Sequence, residues 1–145
     1  MTKWKFAVLA LLAGGVASPA LAQNAYEQMI DNLLDAAAGM AAESGYDSEH
    51  SRHYGMLESA AKEPVTLSLA AGRSYFIVGQ CDSDCSDLDL GLYDDKRNLV
   101  SEDVLDDDTP IVQVSPVRNG TFTLSVGMVT CSSEPCYYGV SVFEK

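Results

Sequence analysis

The chain has 145 residues and a formal net charge of −12 at pH 7, with 21 acidic side chains against 9 lysines and arginines. A chain this acidic is repelled by nucleic acid and by anionic lipid, because both carry negative charge. The partners that remain are cations, neutral sugars and proteins with basic patches. The same charge would also suffice merely to keep an exported protein dissolved.

The N-terminus has the three parts of an export signal. Lys3 and Lys5 give a positive start, 6–16 is a short apolar run, and 20–22 is a small-x-small cleavage site. The apolar run is too short to span a bilayer as a helix, and no cysteine follows the cleavage site to carry a lipid. We predict a signal peptide over 1–22, no membrane span in the mature protein, and a periplasmic or secreted location.

The four cysteines form two closely spaced pairs, Cys81 with Cys85 and Cys131 with Cys136. An even number of cysteines behind an export signal predicts two disulfides. Three pairings are possible and the sequence alone does not choose, although close spacing favours bridges within each pair. A zinc site made from the same two pairs is the alternative.

Residues 24–43 have the i, i+3, i+4, i+7 apolar spacing of an amphipathic helix. Asn24 suits the N-cap, Glu27 would complete a capping box, and Gly45 is a suitable stop. The apolar face needs a partner, which is either the rest of the domain or another protein. We therefore divide 23–64 into this helix and a linker.

The linker, 46–64, is mixed and polar. It contains both histidines, His50 and His53, whose spacing would allow one helical face to bind a metal. No zinc motif surrounds them, so we expect solvated histidines. A short second helix over 54–61, ended by Pro64, is a further option.

From residue 65 onward the apolar residues alternate, which predicts strands. The predicted strands are 65–69, 74–80, 87–93, 99–101, 111–114, 121–129 and 137–143. Segment 74–80 is apolar on both faces, so we expect it to be central. The fold class is therefore mainly β: an antiparallel, jelly-roll-like β-sandwich of about seven strands over 65–145, preceded by an amphipathic α-helix.

The segment 81–95 combines two cysteines with six aspartates and an alternating strand. Leu88, Leu90 and Leu92 share one face of that strand and Asp87 and Asp89 share the other. We therefore expect one side of the strand to be dry and the other to be acidic.

These acidic residues are the best candidates for a metal site, because calcium takes six to eight oxygen ligands. The spacing does not match an EF-hand loop. The candidate calcium ligands are Asp87, Asp89, Asp106, Asp107 and Asp108. A solvated acidic rim without a bound ion is the alternative.

Three segments resemble a known family: Ala71–Tyr75 before an apolar strand, Asp87–Asp94, and Val114–Pro116 leading into 120–126. In this order they are similar to the bacterial pre-peptidase C-terminal (PPC) domain, over about 65–143. The resemblance implies a secreted jelly-roll-like sandwich, frequent calcium association, and a role in secretion or substrate binding. The chain departs from the usual arrangement because no peptidase domain precedes the sandwich, and the cysteines and helix are additions.

We expect no catalytic residues, because the chain lacks a nucleophile elbow, an H-E-x-x-H motif and a Walker loop. The sequence favours a non-catalytic exported binding or accessory protein of the cell envelope, with calcium as a candidate ligand. Its partner would be a protein or glycan, and Tyr93, Tyr137 or Tyr138 would stack on sugar or peptide. The alternative is a periplasmic protein-interaction partner, of inhibitor or immunity type, that uses the acidic surface and the helix.

Overall fold

The computed structural model describes the backbone of residues 19–145 and the side chains of residues 25–145. Most of the predicted signal peptide, 1–18, lies outside the described residues. The elements are α1 (Pro19–Glu43), β1 (Ser48–Leu57), β2 (Ala61–Leu69), β3 (Tyr75–Cys81), β4 (Cys85–Tyr93), β5 (Leu99–Asp103), β6 (Ile111–Val114), β7 (Gly120–Cys131) and β8 (Cys136–Glu144). The part of the chain described here contains no helix long and apolar enough to cross a membrane.

The eight strands form two antiparallel sheets of four strands each. The first sheet has the order β1-β8-β3-β6 and the second has the order β2-β7-β4-β5. Side chains from the two sheets meet in one continuous core. The predicted antiparallel β-sandwich is confirmed, with eight strands in place of about seven.

The strand β4 places its three leucines in this core. Leu88, Leu90 and Leu92 are each 0% exposed. All three lie opposite apolar residues of β7: Leu88 pairs with Met128, Leu90 with Val126 and Leu92 with Leu124. The predicted dry face of β4 is therefore confirmed.

The strand β3 is central, as its composition predicts. It lies between β8 and β6, and all seven of its residues are buried. Tyr75 and Ile77 face the sandwich core, while Phe76 and Val78 belong to a second apolar cluster on the outer face of the first sheet.

The helix α1 covers this outer face. Ile30, Leu34, Ala37 and Ala41 are at most 1% exposed. The last two pack with residues of β3 and with Phe143 of β8. The apolar partner of the helix is therefore the sandwich of its own chain.

The ends of α1 differ in how well the sequence predicts them. The described part of α1 starts at Pro19, so Asn24 lies inside the helix and the predicted cap there is wrong. The C-terminus agrees with the prediction: Gly45 has a φ of 83°, and the N–H of Tyr46 donates to the carbonyl of Ala41 at 2.9 Å, as in a Schellman motif.

The predicted linker is wrong, because most of 46–64 forms β1 and the start of β2. No helix forms over 54–61, and Pro64 lies in β2, an edge strand, where a missing N–H is tolerated. The error has a physical cause. Of the β1 residues that face the core, only Leu57 is apolar, so the strand lacks the alternation that identifies one.

Polar contacts take the place of apolar ones between β1 and α1. The Arg52 guanidinium donates to Asp31 at 3.0 Å, to Asp35 at 2.9 Å and to Glu49 at 2.8 Å. Tyr54 also donates its hydroxyl to Asp31. Hydrogen bonds from Tyr54 and Arg52 lower the pKa of Asp31, so both contacts favour its charged form.

The contact between α1 and β8 depends on Gly139. A Cβ at this position would lie 2.5 Å from Cγ2 of Ile30 and 2.8 Å from Cδ1 of Leu34. We expect Gly139→Ala to lower the free energy of unfolding, measured in urea, by about 1–3 kcal/mol through overpacking.

The control for that prediction is Gly39→Ala, at an exposed position of α1 with nothing within 4 Å of an added Cβ. Alanine is the better helix former, so this variant should gain about 0.5–1 kcal/mol. If Gly139→Ala were equally stable, the close approach of helix and sheet would be wrong.

Candidate functional site

Two disulfides lie at one end of the sandwich. Cys81 is bonded to Cys85 and Cys131 to Cys136, and no described cysteine is free. Each bridge spans a connection between the two sheets, from β3 to β4 and from β7 to β8. The favoured pairing is confirmed, and the zinc alternative is wrong because every thiolate it would need is in a disulfide.

The structure also explains why spacing alone left the pairing open. Cys85 and Cys131 lie directly opposite each other on β4 and β7. Strand pairing therefore brings both pairs to the same place, and a cross-pair bridge would join neighbouring strands. The choice between pairings depends on side-chain direction, which the spacing of cysteines does not encode.

Asp82 holds the two disulfide loops together, and sequence reasoning missed this role. Its side chain is buried, and Oδ2 accepts the backbone N–H of Tyr137 at 2.7 Å while Oδ1 accepts that of Asp84 at 3.1 Å. The second bond is an Asx turn, for which the Asp-Ser-Asp sequence was an available signal. Both carboxylate oxygens of Asp82 are therefore used in hydrogen bonds that stabilise these loops.

Four loops meet at this end. The Ser59 hydroxyl donates to the carbonyl of Cys131 at 3.0 Å, and Glu134 accepts the N–H of Ser59 at 2.8 Å. The carbonyl of Asp107 accepts the N–H of Leu88 at 2.9 Å. The connections β1–β2, β3–β4, β5–β6 and β7–β8 are thereby joined into one surface.

We call this surface the acidic end. Its loops, 58–60, 82–84, 104–110 and 132–135, contain no lysine, arginine or histidine. Their carboxylates are those of Glu58, Asp82, Asp84, Asp106, Asp107, Asp108 and Glu134. Negative charge is thus concentrated at one pole of the domain.

Most cationic side chains lie at the opposite pole. Within 19–145 the lysines and arginines in the loops of that pole and at the C-terminus are Arg73, Lys96, Arg97, Arg118 and Lys145. These loops touch one another: Asn119 accepts the N–H of Ala71 at 2.8 Å, and Arg118 pairs with Asp95 at 3.0 Å. The loop cations are therefore gathered at this pole, where Asp47, Asp94 and Asp95 accompany them, and are absent from the loops of the acidic end.

Asp87, beside the acidic end, is the most unusual of the predicted calcium ligands. Its Oδ1 is shielded from solvent and has no hydrogen-bond partner. Burial raises the pKa of Asp87, and the charges of Asp89, Asp106 and Asp107 raise it further. The surroundings of Asp87 therefore disfavour the charged form of its carboxylate.

The other candidates have different surroundings. Burial raises the pKa of Asp89, and Lys62 lowers it in part. Asp107 and Asp108 accept hydrogen bonds from Thr109, at 2.9 Å and 3.0 Å. In the range 19–145 there is no group of three or more acidic, histidine or cysteine side chains placed to hold a metal ion. The five aspartates therefore do not form a ready calcium shell, and calcium binding stays a prediction.

The two histidines do not share a helical face, because both lie on β1. His50 is 3.2 Å from Glu144 through Nδ1, and its ring meets that of Tyr75 edge-on. Burial lowers the pKa of His53, and the nearby His50 lowers it further. The prediction of solvated linker histidines is therefore wrong for His53, which is half-buried in the sandwich.

The three candidate tyrosines have three different environments. Tyr138 is 1% exposed in the core, and its hydroxyl donates to Glu63, so it is not available to stack on a ligand. Tyr137 is half-buried and stacks on Tyr26 of α1 with ring centroids 4.6 Å apart. Tyr93 is half-buried on the second sheet.

Comparison with models of protein families finds no family that matches this chain. A search of curated proteins also finds no match. The functional argument therefore depends on the residues and their geometry.

The raised pKa of Asp87 gives a prediction with a definite sign. The folded protein binds a proton at Asp87 more tightly than the unfolded chain does, so the charged form reduces stability at neutral pH. We expect Asp87→Asn to raise Tm at pH 7 by a few degrees. The difference in Tm between the variant and the wild type should shrink as the pH falls from above the raised pKa of folded Asp87 towards 3.8, the ordinary pKa of an aspartate.

The control is Asp95→Asn at the opposite pole, which breaks the exposed pair with Arg118. Exposed pairs contribute little, so its Tm should be unchanged or slightly lower at every pH. A destabilised Asp87→Asn variant at pH 7 would mean that the carboxylate has a favourable partner.

Proposed function

We propose that this protein is a non-catalytic binding or accessory protein of the cell envelope that engages a basic protein through its acidic end. The observation that supports this is the charge segregation: seven loop carboxylates at one pole, with no lysine, arginine or histidine in the same loops. A negative pole of this kind attracts basic surfaces and accelerates their association.

The construction of the acidic end also suits binding. Two disulfides and the buried Asp82 join its loops, so little conformational entropy is lost when a partner docks. Val104 and Leu105, beside the three loop aspartates, are 57% and 67% exposed. Apolar contact from these two side chains would add to the charge attraction.

A basic protein fits this surface better than a glycan does. The exposed carboxylates of this surface attract a basic protein by their charge, whereas a neutral sugar gains no such charge attraction from them. Tyr138, a candidate for stacking on sugar, lies in the core. We do not assign the helix a docking role, because its apolar face already packs on its own sheet.

We further propose a periplasmic or secreted location. The support is the pair of disulfides, which persist in oxidising compartments, together with the predicted export signal. We also propose that the sandwich is a jelly roll. Its support is the strand order β1-β8-β3-β6 against β2-β7-β4-β5 across eight strands. Membership of the PPC family is a proposal that depends on the three resembling segments alone.

Binding through the acidic end is tested with two variants of equal net charge. One carries Asp106→Asn, Asp107→Asn and Asp108→Asn. The other carries Glu43→Gln, Asp47→Asn and Asp95→Asn, which lie outside the acidic end. Basic exported proteins captured by the wild type are purified and their Kd is measured against ionic strength. We expect the first variant to bind roughly tenfold more weakly, with a shallower salt dependence.

The second variant should bind as the wild type does, because its lost charges are far from the acidic end. Equal weakening of both variants would show that only net charge matters, and the proposal would then be wrong.

Calcium is tested separately, by thermal melting with calcium and with a chelator. If calcium stabilises the acidic end, a concentration about 100 times Kd raises stability by about 2.7 kcal/mol, and the chelator reverses the change. The Asp87→Asn variant should melt above the metal-free wild type and lose the calcium response. A calcium response unchanged in this variant would exclude Asp87 as a ligand, and no response in the wild type would end the calcium proposal.

A further inference from the structure

A small cavity lies between α1 and the outer face of β1 and β8. Its volume is about 160 Å³, and it is lined by Glu27, Ile30, Tyr54, Gly55, Met56, Tyr137 and Tyr138. None of these residues belongs to the acidic end. The cavity is therefore a separate feature from the surface proposed above to bind a basic protein.

Aromatic and soft apolar side chains form much of the lining. Tyr54 and Met56 are 48% and 53% exposed, which is high for side chains of their size. Tyr137 is held in place by its stack on Tyr26. Because Tyr26 does not line the cavity, it supports the ring of Tyr137 from outside.

The charge around the cavity is negative. Glu27 lines it directly, and Asp31 accepts the Tyr54 hydroxyl at its edge. Arg52, which pairs with Asp31, is also bonded to Asp35 and Glu49, so this group of charges has one cation against three carboxylates. A hydroxyl that donates to a carboxylate also enriches its ring in electron density, which favours a cation over the ring face.

The volume limits the ligand to a compact group. A cavity of about 150 Å³ holds one benzene-sized molecule. Tyrosine rings, methionine and a nearby carboxylate together suit a cation that carries its own apolar carbons, as an alkylated ammonium does. An anion would be repelled, and a neutral molecule would gain nothing from the charge.

We propose that this cavity is a binding site for an alkylated ammonium group. Tyr54 and Tyr137 provide the aromatic surface, and Glu27 and Asp31 provide the negative field. The same chemistry occurs in a free quaternary ammonium compound and in a methylated lysine side chain of a protein.

The test is a calorimetric titration of the full chain with choline and with its dimethylbutanol isostere, in which carbon replaces the charged nitrogen. We expect choline to bind roughly tenfold more tightly than the isostere. A third titration, with a short peptide that carries trimethyllysine, distinguishes the sources: tighter binding of the peptide than of choline would favour a protein ligand. Equal affinity of choline and its isostere, or no binding of either cation, would overturn the proposal.

Variants separate the aromatic contribution from folding. These variants are titrated with choline or the trimethyllysine peptide, whichever binds more tightly. Tyr54→Phe keeps the ring and should retain most of the affinity, whereas Tyr54→Leu should reduce the affinity roughly tenfold. Tyr93→Leu, on the second sheet and outside the cavity, is the control and should leave the affinity unchanged. Retained affinity in a folded Tyr54→Leu variant, checked by its thermal melt, would exclude the aromatic role. The triple variant Asp106→Asn, Asp107→Asn, Asp108→Asn should still bind the cation. The cavity proposal and the proposal for the acidic end can therefore be disproved independently of each other.

Discussion

The central strand of the first sheet, β3, is apolar on both of its faces, and this constraint organises the rest of the structure. One face of the first sheet is covered by the second sheet, whose leucines on β4 are fully buried. The other face presents Phe76, Val78 and Phe143, which would be exposed without the helix. Burial of this apolar surface is the main favourable term in folding, so α1 is an integral layer of the domain.

The position of the helix explains two further features. Because α1 lies over β8, its approach requires a residue without a side chain at Gly139. Because it reaches β1, an otherwise polar edge strand is held by the Arg52 contacts with Asp31 and Asp35. The small cavity is lined by residues of the helix, of this edge strand and of β8.

The distribution of charge follows from the strand connections. Strands that alternate in direction bring every second loop to the same pole, and here those loops hold carboxylates and no cationic side chain. The disulfides fix this pole, and Asp82 joins its loops by hydrogen bonds to the backbone. Burial raises the pKa of Asp87 beside this pole, and repulsion from Asp89, Asp106 and Asp107 raises it further. A surface that keeps such repulsion is suited to a positively charged partner.

The sequence by itself determined the features that depend on local periodicity and local turns: the β strands from residue 65 onward, the inward leucines of β4, the central β3, the amphipathic helix and its stop at Gly45. Each of these is encoded by neighbouring residues, because burial repeats with the period of the element. Only the tertiary structure decided that 48–57 is a strand, since its stability comes from pairing with β8 and from Arg52 bonds to a helix 17 and 21 residues away. It also decided the role of Asp82, the single pole of carboxylates and the cavity beside Tyr54. These depend on contacts between residues distant in the chain, which no local pattern records.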